Sequence, residues 1–352
     1  MAASTSTSTA RPTFNVGGQD RPSLANGLLS LVVAEQVDGL YHCEATFGNW
    51  GEAQSKLDYL YFDRSVLDFG KSFVVKLGSD ELFRGAITAL EGQFPDGRGP
   101  EVTVLAEDRL QDLRMTRRTR TFADLSDSDV VQRIASDHGL TPSVSVSGPT
   151  YKVLAQVNQS DLAFLRERAR AVDAELWMDG TSLNVKQHAN RTSQPIALAY
   201  GIDLAAFSVL ADVAHQRTSV TVSGWDVAGK AAITHEAGES TISGELGSDT
   251  SGASLLKSAF GERKESVVHN VPLSTREAQD AAEAAFRLRA RRFVSGHGVS
   301  TTRAALRAGA CVELKGIGPL FSGKYYVTEI RHLFDGLGLR TEFTAERPGL
   351  GT

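Results

Sequence analysis

Apolar and polar positions alternate through most of this chain, the period of half-buried β-strands. LLSLVVAEQ from Leu28 is followed by Leu40 to Phe47, with Tyr41, Cys43, Ala45 and Phe47 on one face. Leu57 to Phe62, Phe73 to Leu77, Leu82 to Leu90 and Val102 to Ala106 continue the pattern between Gly, Asp and Pro turns. These runs predict one antiparallel β domain, a closed barrel, over 14–115. Ahead of it, the Ser/Thr-rich residues 1–13 carry no apolar pattern and predict a disordered tail.

Beyond Leu113 the period changes. Ser126 precedes DSDVVQRIASDHGL, with acids in the first turn to complement the helix dipole and Gly139 as its stop. A second helix is predicted from Ser160, with Leu162, Leu165, Ala169 and Val172 on one face. The strands LWMDG and SLNVKQ then flank an Asp179-Gly180 turn, so 116–198 reads as a compact α+β insertion. Strands return at Ala206 to Leu210 and Thr218 to Ser223. The polar stretch from Ala237 to Gly252 predicts a mobile loop. Ser274 and Glu277 have capping-box spacing ahead of EAQDAAEAAFRLRARRF, which predicts a helix of about four turns. Its Arg287, Arg289, Arg291 and Arg292 read as a solvated or partner-facing surface. The expected organisation is a second barrel made of 199–226 and 297–348, joined by a connecting segment over 227–296.

The second barrel is expected because the chain repeats itself. Gly70 to Arg109 reads again, degenerate but in order, from Gly309 to Arg347. Gly70 answers Gly309, and Ala106-Glu107 answers Ala345-Glu346, at one common separation; Phe83 and Gly85 answer Phe321 and Gly323 one residue short of it. Each unit has its Asp-Gly turn, Asp96-Gly97 and Asp335-Gly336, ahead of a strand closing on Ala-Glu. Two widely spaced copies mean two like domains rather than a solenoid. The fold class expected is therefore mainly β: two similar antiparallel, tube-like barrels, an α+β insertion and a helical linker.

Composition narrows the function. At 352 residues the chain has room for two or three domains, and a formal net charge of −5 argues against a dedicated nucleic-acid binder. Cys43 and Cys311 lie in apolar strand-like runs and read as small hydrophobes of a reducing compartment. The N-terminus lacks the basic start and apolar run of a signal peptide, and nothing approaches a membrane span, so synthesis in the bacterial cytoplasm is expected.

Candidate chemistry is sparse. Gly70-Lys71-Ser72 resembles the end of a phosphate loop, but Ser65 stands where Gly is needed and a strand follows where a helix N-terminus should be. Gly224 to Lys230 has the right spacing but ends on Ala231, without the hydroxyl that holds magnesium. The histidines His42, His138, His188, His215, His235, His269, His297 and His332 show no zinc-protease spacing, and the cysteines no zinc spacing. Gly296-His297-Gly298 reads as a hinge after the long helix. No nucleophile elbow frames Ser254, and Glu239 and Glu245 read as solvated acids. No catalytic, cofactor-binding or metal-binding residue is assigned, no cofactor is expected, and the chain reads as a non-enzyme.

The succession LFRGAITALEGQF, VTVLAEDRLQDLRMTRRTRTF, SDVVQRIASDHGL, QSDLAFLRERARAVDAELWMDG, VSGWD, GPLFSGKYYVTEIRHLFD and TEFTAER resembles the phage late control protein D family over 25–347. That family includes the hub of contractile phage tails and the N-terminal part of VgrG spike proteins. The resemblance implies a homotrimeric baseplate hub. Its two barrels per chain form a pseudo-sixfold ring between a sixfold inner tube and a threefold spike, with baseplate wedges as further partners and no nucleic acid or membrane span. The sequence stops at Thr352 without the further domains of VgrG, so a separate spike protein is expected. A tail-associated cell-wall hydrolase, or a cargo adaptor working through the 237–252 stretch, stands as the alternative.

Overall fold

The computed structural model describes residues 11–53, 55–191, 193–227, 229–268 and 272–351. Its first unit comprises β1 (Thr13–Val16), β2 (Gln19–Asp20), α1 (Pro22–Gly27), β3 (Leu28–Gln36), β4 (His42–Gly48), the hairpin β5 (Trp50–Ala53) and β6 (Lys56–Tyr59), β7 (Ser72–Leu77), β8 (Asp80–Gln93) and β9 (Glu101–Glu107). Alternation buries Cys43, Ala45 and Phe47 of β4 with Phe14, Val33, Phe73 and Val104 in one core. Part of the stretch predicted as tail is ordered: Thr13 opens β1, which pairs with β7, while residues 1–10 lie outside the described residues. Leu57 to Phe62 does not join the main sheet, because Lys56–Tyr59 folds back on Trp50–Ala53.

The first insertion follows with α2 (Leu110–Arg114), β10 (Arg117–Ser126), α3 (Asp127–Asp137), β11 (Thr141–Ser145), β12 (Thr150–Ser160), α4 (Asp161–Ala171), β13 (Ala174–Asp179) and β14 (Ser182–Gln187). Ser126 and Asp129 form a reciprocal capping box at α3, and Ser160 caps α4. The helices cover the two small sheets over a core that includes Phe122, Ile134, Leu165 and Leu183.

The second unit opens with β15 (Ile196–Ala199) and β16 (Leu204–Ala211). A second insertion interrupts it: β17 (Ser219–Asp226), β18 (Ala231–Gly238), α5 (Ser243–Leu246), β19 (Thr250–Ser251), α6 (Gly252–Phe260), β20 (Lys264–Val267) and α7 (Thr275–Arg291). The unit then closes with β21 (Val294–Thr301), β22 (Cys311–Lys315), β23 (Gly323–Asp335), β24 (Gly338–Arg347) and β25 (Gly349–Leu350). Three expectations change here. The strand at 218–223 forms a separate three-stranded sheet with β18 and β20, covered by α7, and does not complete a barrel. The segment 237–252 is ordered in short helical turns, because Glu239 accepts from the hydroxyls of Ser251 and Ser254, the first of which caps α6. Gly296-His297-Gly298 is strand interior rather than hinge.

The two units have one topology. Numbering the six principal strands of each in chain order, the first unit pairs as β1-β7-β8-β9-β4-β3 and the second as β15-β22-β23-β24-β21-β16, the same path from first strand to second. Only the first strand is reversed: β1 runs antiparallel to β7, β15 parallel to β22. Even the irregularities repeat. β8 bulges against β9 at Thr88 and β23 against β24 at Thr328, each threonine hydroxyl facing the opposite strand's carbonyl, Leu105 or Thr344. The amide of Gly70 donates to Ile87 O and that of Gly309 to Val327 O, both at 2.8 Å and both glycines at positive φ. These anchors make Thr88 the counterpart of Thr328. The likeness of LFRG to LFSG is therefore two residues out of structural register: Phe83 lies in a strand, while Phe321 lies in the turn before one.

The glycines flanking His297 give room to rings. A Cβ on Gly296 would run into Phe207, and one on Gly298 into Phe343, both packed in the second core. Gly298→Val is expected to overpack that core and cost about 1–3 kcal/mol, read as a lowered urea midpoint with an unchanged slope.

Candidate assembly surfaces

Among the described residues one strand pairing, a hydrogen-bonded seam between β23 and β3, joins the two units. β23 serves two neighbours along its length: residues before the Thr328 bulge pair with β22, and those after it pair with β3, from Glu329 opposite Gln36 to Phe334 opposite Leu31. Val37 N donates to Thr328 O at 3.1 Å and extends the seam by one bond. Side chains of the second unit close over the first: Phe334 and Ala304 pack on its core, and Arg11 lies over the Phe334 ring while donating to Leu28 O. Glu35 is buried at the same place, 2.5 Å from Arg307 Nε and accepting from Ala308 N at 3.1 Å. Burial lifts the Glu35 carboxyl above its ordinary range, while Arg307 and the Ala308 amide pull it back only in part.

A second buried network fixes the first insertion to both units. Glu175 accepts from Arg191 at 2.8 Å and from the Tyr326 hydroxyl at 2.5 Å, with His188 at 3.1 Å. Burial opposes ionisation of Glu175, but His188, Arg191 and Tyr326 outweigh it and hold the carboxyl low. Arg191 also reaches Ala308 O and stacks on Trp177. Arg291 corrects the reading of the long helix as a solvated basic surface: it is buried and bidentate to Asp173, and it also pairs with Glu245. Glu245 is likewise no solvated acid; burial raises its carboxyl and Arg291 more than offsets this.

The open edges are as informative as the closed seam. β16 pairs with β21 on one side and has no strand partner on the other among the described residues. The same holds for the end of β8 beyond Thr88, which pairs with β9 alone. Leu210 on β16 is 62% exposed and Phe94, just past β8, is 64% exposed. Along the path β16-β21-β24-β23-β3-β4-β9-β8, cross-strand partners such as His297 and Thr344, Arg331 and Glu342, and Thr46 and Thr103 share the face turned away from both cores. That face carries small, charged and aliphatic groups with the imidazoles of His42 and His297. Both insertions leave the sheet at one rim, beside Glu107 and Ala211, and the opposite rim holds the β5–β6 hairpin and the turn at Asp335.

The motifs weighed for chemistry are occupied structurally. Lys71 Nζ sits against the carbonyls of Ser65, Arg64 and Val66, tying down a loop rather than facing an anion. Gly224 lies in β17, where a Cβ would strike Pro272. His332 is buried in the seam strand β23, and burial lowers its pKa to about 3. His269 lies outside the described residues; among those described, no three His, Cys, Asp or Glu side chains are grouped to hold a metal. A cleft of about 990 Å³ between the first unit and its insertion contains Asp108, lifted by burial to about 6 although it accepts from the amides of Tyr41 and Leu110. Those bonds make it a backbone cap.

Removing Arg307 leaves Glu35 buried without its main counter-charge. The folded carboxyl then titrates still higher while the unfolded one keeps its ordinary value, so stability falls as pH rises between the two. Arg307→Ala is expected to cost about 3 kcal/mol at pH 8, the low end for a buried pair because the arginine is partly open to solvent, and clearly less at pH 5. Urea midpoints at the two pH values check this.

The sequence over residues 9–335 matches the family described as the Alg8 N-terminal domain. A search of curated proteins finds no match. Among solved structures the chain is similar to the 43 kDa tail protein of prophage MuSo2 from Shewanella oneidensis, with 12% identity, a TM-score of 0.72, and coverage of 96% of this chain and 98% of that one. It is also similar to the E. coli c3393 protein, a type VI secretion component described as structurally similar to T4 bacteriophage tail proteins gp27 and gp5 (12% identity, TM-score 0.59, 91% and 73% coverage). A third likeness is to the lidded PdpA–VgrG complex of Francisella (9% identity, TM-score 0.55, 96% and 52% coverage). The last three comparisons speak to the fold alone, whereas the first spans nearly the whole sequence: the chain belongs to the Alg8 N-terminal domain family.

Proposed function

We propose that this chain is the structural hub of a phage tail or contractile injection machine, a homotrimer whose paired units form a pseudo-sixfold ring. The observation that carries the reading is the repeated topology combined with the β23–β3 seam and the open edges of the two counterpart strands. The second strand of the first unit, β3, pairs with the fifth strand of the second, β23. Its counterpart β16, and β8 beyond Thr88, the counterpart of β23, are two of the strands that keep a free edge among the described residues. Applying the same joint between molecules satisfies both, and a row of unpaired backbone groups is otherwise a hazard. Ring symmetry closes such head-to-tail contacts that would otherwise run on as a filament.

The equivalence fixes a register. β3 and β16 carry the same bulge against the third strand of their own units, β4 and β21, at Leu28–Ser30 and Leu204–Ala206, so Leu31 corresponds to Phe207 and Val32 to Ser208. Leu31 opposite Phe334 and Val32 opposite Leu333 become Phe207 opposite Phe94 and Ser208 opposite Gln93 of the neighbouring copy. The joint between copies lacks the charge pair of the internal one: Ala211 stands where Glu35 is, and Asp68 where Arg307 is. The face of small, charged and aliphatic side chains would line the bore. The rim free of insertions would receive the sixfold inner tube, and the insertion rim the baseplate wedges and a separate spike. Tail and type VI secretion proteins with this fold support the setting. The alternatives lose their motivating features, since 237–252 is not a free loop and Glu239 and Glu245 are engaged by hydroxyls and Arg291.

A cross-strand cysteine pair tests the register, because opposite residues place their Cα atoms within disulfide range. In a Cys311→Ser background, Gln93→Cys with Ser208→Cys is expected to oxidise to a covalent three-chain species on denaturing gels. Moving one cysteine to Leu210 should abolish it. Monomer alone at every concentration would overturn the ring.

A further inference from the structure

Trp50, Tyr59, Phe62 and Phe94 form one cluster at the surface, with ring centroids 5.3 Å apart for Trp50–Tyr59, 5.2 Å for Tyr59–Phe62 and 5.8 Å for Phe62–Phe94. Such rings ordinarily pack inside, yet Trp50 is 48% exposed and Phe94 more so. The cluster has no counterpart in the second unit. There the connection between the third and fourth strands is the short 302–310, without an aromatic residue, where the first unit has 49–71 with its hairpin. A second apolar patch lies at the far end of the sheet path, in the turn from β15 to β16, where Tyr200 and Ile202 (74%) are exposed.

We infer that the aromatic hairpin is a lock between copies, closing over the Tyr200–Ile202 turn of the neighbouring molecule. The inference rests on the ring reading above and adds its partner surface. The internal seam supplies the geometry: the 302–310 connection lays Ala304 on the first unit's core, and Phe334 packs on it beside the start of β3, under Arg11. In the joint between copies the corresponding parts are the 49–71 connection, Phe94, and the start of β16, which the Tyr200–Ile202 turn precedes directly. All of them sit on the rim free of insertions, because Gln93 is opposite Glu101, Gly48 opposite Glu101 and Leu204 opposite Ser300. Two patches that are separately exposed in one chain thus meet when the known joint is repeated. The lock replaces the absent charge pair: the internal joint is held by Glu35 and Arg307, the external one by rings. It also makes every second joint different, which turns six like units into three pairs.

Sedimentation of the full chain reads the effect. Trp50→Ala and Ile202→Ala, both at exposed positions, are each expected to raise the concentration for half-assembly about tenfold. The double variant should lose less than the two factors multiplied, as touching residues do. Unchanged assembly, or losses that multiply independently, would overturn the lock. So would a Trp50→Ala protein that assembles normally but no longer binds separately purified inner-tube protein, which would give the patch to that partner. The Gln93–Ser208 disulfide separates the two readings. If it forms at high concentration in the Trp50→Ala background while assembly is unaffected, the ring stands and the lock fails; if it forms in no background, the ring itself fails.

Discussion

A strand can satisfy only two neighbours at any one residue, and in this molecule β23, the fifth strand of the second unit, meets three over its length. The Thr328 bulge resolves the conflict in β23: it turns the strand out of one wall and into another, so that β22 takes the first half and β3 the second. The direct sheet joint between the two units follows from that turn. The long sheet path, the burial of Glu35 against Arg307, and the packing of Phe334 on the first core all require β23 to leave its own unit.

The insertions answer a different demand. Each unit has its own core, and the insertions brace the units at one rim with buried charges as well as with apolar contacts such as Trp177 on the first core and Leu255 on the second. Glu175, Arg191 and Tyr326 tie the first insertion to the second unit, and Arg291 ties the two insertions together through Asp173 and Glu245. Bidentate geometry with both partners desolvated makes such links specific in direction, even where their net contribution to stability is modest.

Much of this was legible in the residues. The alternation of Cys43, Ala45 and Phe47, the caps Ser126 and Ser160, and the paired glycines Gly70 and Gly309 each encode a local geometry that sequence spacing reports directly. What escaped depended on partners distant in the chain. The strand beginning at Ser219 alternates as well as a barrel strand does, and only its pairing with β18 and β20 sends it elsewhere. Residues 237–252 are polar because they satisfy one another, as Glu239 does with Ser251 and Ser254, and a polar run reads the same whether its groups face water or each other. LFRG and LFSG match as letters but not as positions, since a bulge shifts register without leaving a mark in composition. The open edge of β16 carries the same alternation as the closed edge of β3, so a free edge of this kind is invisible until the strand is seen without a neighbour.

In the proposed ring the unequal chemistry of the two joints would have a mechanical consequence. Such a collar, in which desolvated ionic staples alternate with apolar clasps, would resist shear unevenly: the covalently continuous halves would hold, and strain would concentrate at three evenly spaced lines. Such an object could dilate by parting along those lines to let a shaft pass and then reseat, without any of its units unfolding.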